Sequence, residues 1–206
     1  MHLSALLVSS SLTALAASWP TLSPRQDNGT DAANVTSAVY DGSCFYPTAG
    51  ADFPDDLSEY LGRWYQVAGT PAIFTLGCKC IYAEYGLNDD GTVSVHNACQ
   101  LGVLPNSIEG TATAVSADYA AKGAFQVSFS SVPGGGVICP GPNYIVQKYD
   151  PNWAIVQSPR FETLFLLSRE QNPADEDIDA WLEEAGKLGT NLDTVTKVSQ
   201  ENCLFT

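Results

Sequence analysis

The sequence has little positive charge: nine Lys and Arg stand against 23 Asp and Glu, a formal charge of −14. Such a chain repels phosphate backbones and anionic membrane surfaces, which argues against a nucleic-acid partner. Histidine is scarcer still, with only His2 and His96 in 206 residues. No multi-histidine metal site can be assembled, and a Ser-His-Asp arrangement could be built only around His96. Beyond the uncharged residues 1–17, no second stretch approaches the roughly 18 to 20 apolar residues that a membrane-spanning helix needs. The Gly134-Gly135-Gly136 run is not followed by Gly-Lys-Ser/Thr and opens no helix, so it reads as a flexible loop and not a phosphate cradle. The acidic pairs Asp55-Asp56 and Asp89-Asp90 fall in turn sequences and make a poor start for a glycosidase dyad.

Residues 1–17 carry no Lys, Arg, Asp or Glu and end in a small-x-small pattern within Ala14-Leu15-Ala16-Ala17, as a secretory signal peptide does. Residues 18–41 are rich in Ser, Thr, Asp, Asn and Pro and read as a disordered tail. Two acceptor patterns, Asn28-Gly29-Thr30 and Asn34-Val35-Thr36, make it either a glycosylated segment or a propeptide without sugars. The remainder, 42–206, is of a size for one domain with a sizeable core or a closed barrel. Its six cysteines, in a secreted chain, read as three disulfides, with Cys78-Lys79-Cys80 belonging to two of them. The pairing is open at this level.

From residue 63 onward, short β-branched and aromatic runs are separated by turn residues. The predicted strands are 63–69, 80–87, 93–99, 108–115, 125–130, 143–149, 153–157 and 163–169. The runs Asn88-Asp89-Asp90-Gly91 and Asp150-Pro151-Asn152 are tight-turn material, as an up-and-down meander requires. Eight strands joined in this way can close into an antiparallel barrel around one small ligand. One helix follows, with Asn172 placed to cap it, Pro173 in its first turn and Asp175, Glu176 and Asp177 near its positive end. Ile178, Trp181, Leu182, Ala185 and Leu188 form a single apolar stripe suited to the outer wall of the barrel. Gly186 and Gly189 end it, and a short strand over 193–198 leads to Cys203.

The run Tyr60-Leu61-Gly62-Arg63-Trp64-Tyr65 is followed by Cys80-Ile81-Tyr82-Ala83-Glu84-Tyr85-Gly86-Leu87 before an Asp-Gly turn, and by Val93-Ser94-Val95-His96-Asn97. Ile108-Glu109-Gly110-Thr111-Ala112, Phe125-Gln126-Val127-Ser128-Phe129, Tyr149-Asp150-Pro151-Asn152-Trp153-Ala154-Ile155-Val156 and Leu164-Phe165-Leu166-Leu167-Ser168-Arg169 complete the series. In this order they resemble the lipocalin family, in the branch of apolipoprotein D, bilin-binding proteins and bacterial lipocalins, over residues 44–203. The family's middle motif, a Thr-Asp-Tyr-like turn, stands here as Lys148-Tyr149-Asp150. The resemblance implies that Trp64 plugs the closed end of the barrel and that Arg169 lies across its indole, both as structural residues. It also implies that Tyr85, Asn97 and Phe129 line the cavity. Strand alternation adds Phe125 and Val127, and places Thr163, Phe165 and Leu167 on one face with Arg169. These aromatics either line a cup or pack a solid core.

Family likeness pairs Cys80 with Cys203. The family's other bridge has no counterpart at Ser158-Pro159, so Cys44 is assigned to Cys139 and Cys78 to Cys99. Because Cys99 shares a face with Asn97, a free luminal thiol is the other reading of that residue.

The expected function is a secreted, non-catalytic carrier of a small hydrophobic molecule, of lipid, sterol, polyene or tetrapyrrole class, without a cofactor or metal. Two alternatives are an enzyme on the same scaffold using Cys99, and a protein-interaction module. Leu101, Val103 and Leu104, between the third and fourth strands, offer a surface for homodimerisation or lipid contact; otherwise the protein is a monomer.

Overall fold

Alternation of inward apolar and outward polar side chains organises the chain from Gly62 to Ser168. The computed structural model describes residues 37–130 and 139–205, apart from the side chain of Ile73. The leader, Asn28, Asn34 and the Gly134-Gly135-Gly136 loop lie outside the described residues. A short hairpin, β1 (Ala38–Tyr40) and β2 (Phe45–Pro47), precedes eight barrel strands. These are β3 (Gly62–Gly69), β4 (Cys78–Leu87), β5 (Val93–Leu101), β6 (Leu104–Ala114), β7 (Ala124–Phe129), β8 (Tyr144–Asp150), β9 (Trp153–Gln157) and β10 (Leu164–Ser168). Each pairs antiparallel with its sequence neighbour, and β10 returns to β3, so the sheet closes without a free edge among these strands. The short β11 (Thr196–Lys197) adds outside on β3.

The expected eight-stranded barrel with one external helix is therefore present. Helix α1 (Asp175–Lys187) lays Ile178 and Ala185 against Val67, Ile155, Leu164 and Leu166, the outward apolar residues of β3, β9 and β10. Trp181 stacks on Trp153 with centroids 5.2 Å apart, and Lys197 ties the helix down through Asp175 and Asp179.

Several boundaries differ from the sequence reading. Asn172 is not the helix cap: the N-cap is Ala174, which makes no side-chain cap bond. Pro173 disfavours helical backbone at Asn172, and Asp175, Glu176 and Asp177 complement the helix dipole in place of a cap. Gly186 is inside the helix, and Gly189, at φ +105, lies just beyond its end. The segment 193–198 is a 3-10 turn at Leu192–Thr194 followed by two-residue β11. β6 begins at Leu104, earlier than expected, because Leu101 pairs with Leu104 across a tight turn in which Gly102 takes φ +63.

Residues 38–41, assigned to the tail, are instead part of the hairpin, and Asp41 organises it. Its carboxylate accepts from the Ser43 and Cys44 amides at 2.8 and 2.9 Å and from the Tyr46 and Tyr119 hydroxyls at 2.7 and 3.2 Å. The Tyr46 hydrogen bond, above all, lowers the Asp41 pKa to about 2. A carboxyl depressed in the folded state contributes stability above its ordinary value of 3.8, and that contribution is lost as pH falls towards 2. Asp41→Asn is therefore expected to lower the melting temperature at pH 7 and to converge on wild type near pH 2. Thermal melts across this range check it, and a difference independent of pH would refute it.

Candidate ligand-binding cavity

The GxW motif has a local cause. Gly62 sits at φ +84, a conformation that favours glycine, and lets the chain turn from the 3-10 segment Leu57–Glu59 into β3 so that Trp64 points inward. Trp64 is fully buried and its Nε1 donates to the Tyr60 carbonyl at 2.8 Å. The Arg169 guanidinium lies 3.7 Å over the indole and donates to the Arg63 and Glu59 carbonyls at 2.7 and 3.0 Å. Ring and cation stack together at this end of the barrel and form its floor.

Above that floor the strands enclose a cavity of about 380 Å³. Tyr85, Asn97, Phe125, Val127, Phe129, Phe165 and Leu167 all line it, as does Thr163. Among the described residues, no Asp, Glu, Lys, Arg or His contributes to the wall. On β6, Gly110 is required by close approach: a Cβ there would lie 2.6 Å from the Phe129 ring. A glycine facing that ring keeps Phe129 in the wall.

Several lining residues escaped the sequence reading. Val93, Val95 and Ala83 were within its reach, since they share strand faces with Asn97 and Tyr85. Tyr60 follows the irregular turn ahead of β3, where no periodicity operates. Tyr144 is hidden because β8 shifts register between Val146 and Lys148, so Tyr144 and Val146 share a core with Tyr149 although strict alternation would separate them.

Tyr60, Tyr144 and Tyr85 meet deep in the cavity: the Tyr144 hydroxyl lies 2.7 Å from that of Tyr60 and 3.0 Å from that of Tyr85. Tyr60 also packs on Trp64, with centroids 5.2 Å apart, so the cluster stands directly above the floor. Burial pushes Tyr85 up to about 12 and holds Tyr60 and Tyr144 well above the ordinary phenol value, so all three phenols are neutral at physiological pH. On the β5 wall, the buried Asn97 Oδ1 has no hydrogen-bond partner.

All six cysteines are in disulfides: Cys44–Cys139, Cys78–Cys99 and Cys80–Cys203. Adjacent Cys78 and Cys80 serve different bridges because β4 bulges there and Cys80 takes φ +54, turning it out towards the C-terminal segment. The free luminal thiol considered for Cys99 is thus absent from the structure. His96 faces away from the cavity and pairs with Glu109. Asp55 binds Lys122, while Asp56 and Asp90 accept local turn amides, so these carboxylates are occupied structurally. Among the described residues no group of three or more His, Cys, Asp or Glu could hold a metal, and no helix is long and apolar enough to cross a membrane. Leu101, Val103 and Leu104 are exposed at the β5–β6 tip.

A closed meander barrel sealed by a Trp-Arg floor and open to a single uncharged cup defines a class of proteins built to enclose one small apolar molecule. A family model described as the lipocalin-like domain matches residues 55–200, most of the chain, and the chain belongs to the lipocalin family. It is similar to apolipoprotein D of Mus musculus, 29% identical over 171 residues, covering 79% of this chain and 85% of that protein. It is also similar to the outer membrane lipoprotein Blc of Vibrio cholerae, 28% identical over 152 residues and covering 71% and 83% respectively. Among solved structures, insecticyanin from the tobacco hornworm Manduca sexta superposes with a TM-score of 0.56 at 21% identity, covering 78% of this chain and 87% of that one. Lobster apocrustacyanin A1 gives 0.55 at 17% identity, covering 71% and 81%. Members of the family bind small hydrophobic ligands.

Proposed function

We propose that this protein is a secreted, non-catalytic carrier that holds one small hydrophobic molecule in the barrel lumen. The observation that carries this reading is the enclosed, uncharged cavity of about 380 Å³ walled by aromatic and aliphatic side chains. Burying about ten ligand methylenes there at roughly 0.8 kcal/mol each supplies about 8 kcal/mol before association costs, enough for micromolar binding. Three disulfides suit an oxidising compartment and keep the cup rigid, which lowers the ordering cost of binding. The alternative that makes Cys99 a nucleophile lacks its thiol, since Cys99 is bonded to Cys78.

Native mass spectrometry of the secreted protein, before and after organic extraction, tests the proposal by looking for a stoichiometric apolar ligand. Phe129→Asp and Phe165→Asp each place a carboxylate in a wall that has no cation to pair with it. Each is expected to weaken rebinding at least tenfold, read by quenching of tryptophan fluorescence, with the far-UV circular dichroism unchanged. An empty protein whose fluorescence ignores several lipid classes would overturn the carrier reading.

A further inference from the structure

The floor of the cup carries a polar device that an indiscriminate hydrophobic container would not need. Each of the hydroxyls of Tyr60, Tyr144 and Tyr85 has one proton to donate. The three are joined by two contacts, Tyr60 to Tyr144 and Tyr144 to Tyr85, and no other hydrogen bond to these hydroxyls is made among the described residues. Two contacts use two protons, whichever way the chain of donors runs, so one proton remains without an acceptor. Tyr60, Tyr85 and Tyr144 all line the cavity, and that proton is available at its floor. A buried donor left unmade costs about 1–3 kcal/mol, so the floor favours a ligand that brings an acceptor to it.

The charge of that acceptor is also constrained. No described wall residue is charged at neutral pH, and the Arg169 guanidinium lies over the Trp64 indole with its donors turned to the carbonyls of Arg63 and Glu59. A carboxylate at the floor would therefore be desolvated without a cation to pair with it. A carbonyl oxygen meets both conditions, since it accepts a hydrogen bond, carries no formal charge and brings no further donor to be satisfied.

We propose that the Tyr60–Tyr144–Tyr85 cluster is an anchoring site for the leading end of the ligand, selecting neutral elongated hydrophobic molecules that end in a carbonyl group. Asn97 supplies a further polar position, one of several in the wall with Gln66, Asn143 and Thr163. It pairs with Ala83 on β4, two residues nearer the mouth than the Val95–Tyr85 pair, which places its unpartnered Oδ1 about 7 Å above the level of Tyr85. The cup thus has a donor at the floor and an unpartnered amide oxygen part-way up a mostly apolar shaft. This inference rests on the carrier reading and assigns its ligand class.

Three probes of one skeleton test it: all-trans-retinal, the hydrocarbon in which methyl replaces its aldehyde, and retinoate at pH 8, each titrated against tryptophan fluorescence. The wild-type protein is expected to bind the aldehyde about tenfold more tightly than the hydrocarbon, and the carboxylate at least tenfold more weakly than the aldehyde. The triple variant Tyr60→Phe, Tyr85→Phe, Tyr144→Phe keeps all three rings and removes every floor donor. It is expected to bind the hydrocarbon at least as well as wild type, which shows that the cup is intact, while losing the preference for the aldehyde. Equal affinity for aldehyde and hydrocarbon in wild type, or a preference that survives in the triple variant, overturns the anchoring site and leaves the carrier reading standing. If wild type binds none of the three and its organic extract is also empty, the carrier reading fails and the anchoring site with it.

Discussion

Trp64→Ala is expected to lower the stability of the barrel by about 3–5 kcal/mol, the cost of deleting a large aromatic side chain from a closely packed core. Trp64 has no exposed surface, and three elements of the structure depend on it. Its indole supports the Tyr60 ring, its Nε1 satisfies the Tyr60 carbonyl, and one of its faces holds the Arg169 guanidinium 3.7 Å away. The alanine variant leaves a void under the cavity, an unpaired carbonyl and a cation without its ring. Trp64→Phe preserves a ring for Arg169 and is expected to cost substantially less. Urea unfolding midpoints with an unchanged slope provide the measurement. A loss below about 1 kcal/mol for Trp64→Ala would show that the floor collapses to fill the space and that the plug is dispensable.

The second large effect is expected at the Cys80–Cys203 bridge, whose residues lie 123 positions apart. Removing it as Cys80→Ser, Cys203→Ser frees a very long loop in the unfolded chain, worth about 5 kcal/mol in the chain-entropy account. The native contacts of the C-terminal segment do not depend on the sulfur atoms alone. Val198 donates to the Val67 carbonyl, Cys80 to that of Ser199, and the Gln200 amide donates to the carbonyls of Gln66 and Ile81. The double variant should therefore keep the folded barrel's circular dichroism while unfolding at a much lower denaturant concentration. A shift of less than about 1 kcal/mol would mean that the unfolded state is already restricted there by residual structure.

Part of the cavity was legible from strand alternation, and Val93 and Val95 lay within its reach, because β5 and β7 run without irregularity. On β5, Val93, Val95 and Asn97 face inward together, and on β7 Phe125 and Val127 do so with Phe129. Alternation fails where a strand carries an extra residue. The bulges at Cys80 on β4 and between Val146 and Lys148 on β8 arise from the mismatch of two neighbouring strands as the barrel closes. Nothing in the residue types of either segment announces them. The helix cap at Asn172 failed for a related reason: local preference proposed a start, but packing of the apolar stripe on β3, β9 and β10 set the helix where Ile178 and Ala185 are buried.

The amino-acid sequence alone determined the strand count, the turns between strands, the apolar stripe of the helix, the Trp-Arg floor and the seven side chains named for the lumen. The strands, the turns, the helical stripe and the inward faces of β7 and β10 follow from periodicity and local motifs, which act between near neighbours in the chain, whereas the floor and Tyr85, Asn97 and Phe129 follow from the resemblance to the lipocalin family. Only the tertiary structure decided that the lumen is an open cup and brought Tyr60, Tyr85 and Tyr144 into hydroxyl contact. Those residues lie as far as 84 positions apart, and their meeting depends on the bulged registers that close the barrel. Whether a stripe of inward aromatics fills a barrel or leaves a cavity is set by the curvature and stagger of the whole sheet, a property that no single strand contains.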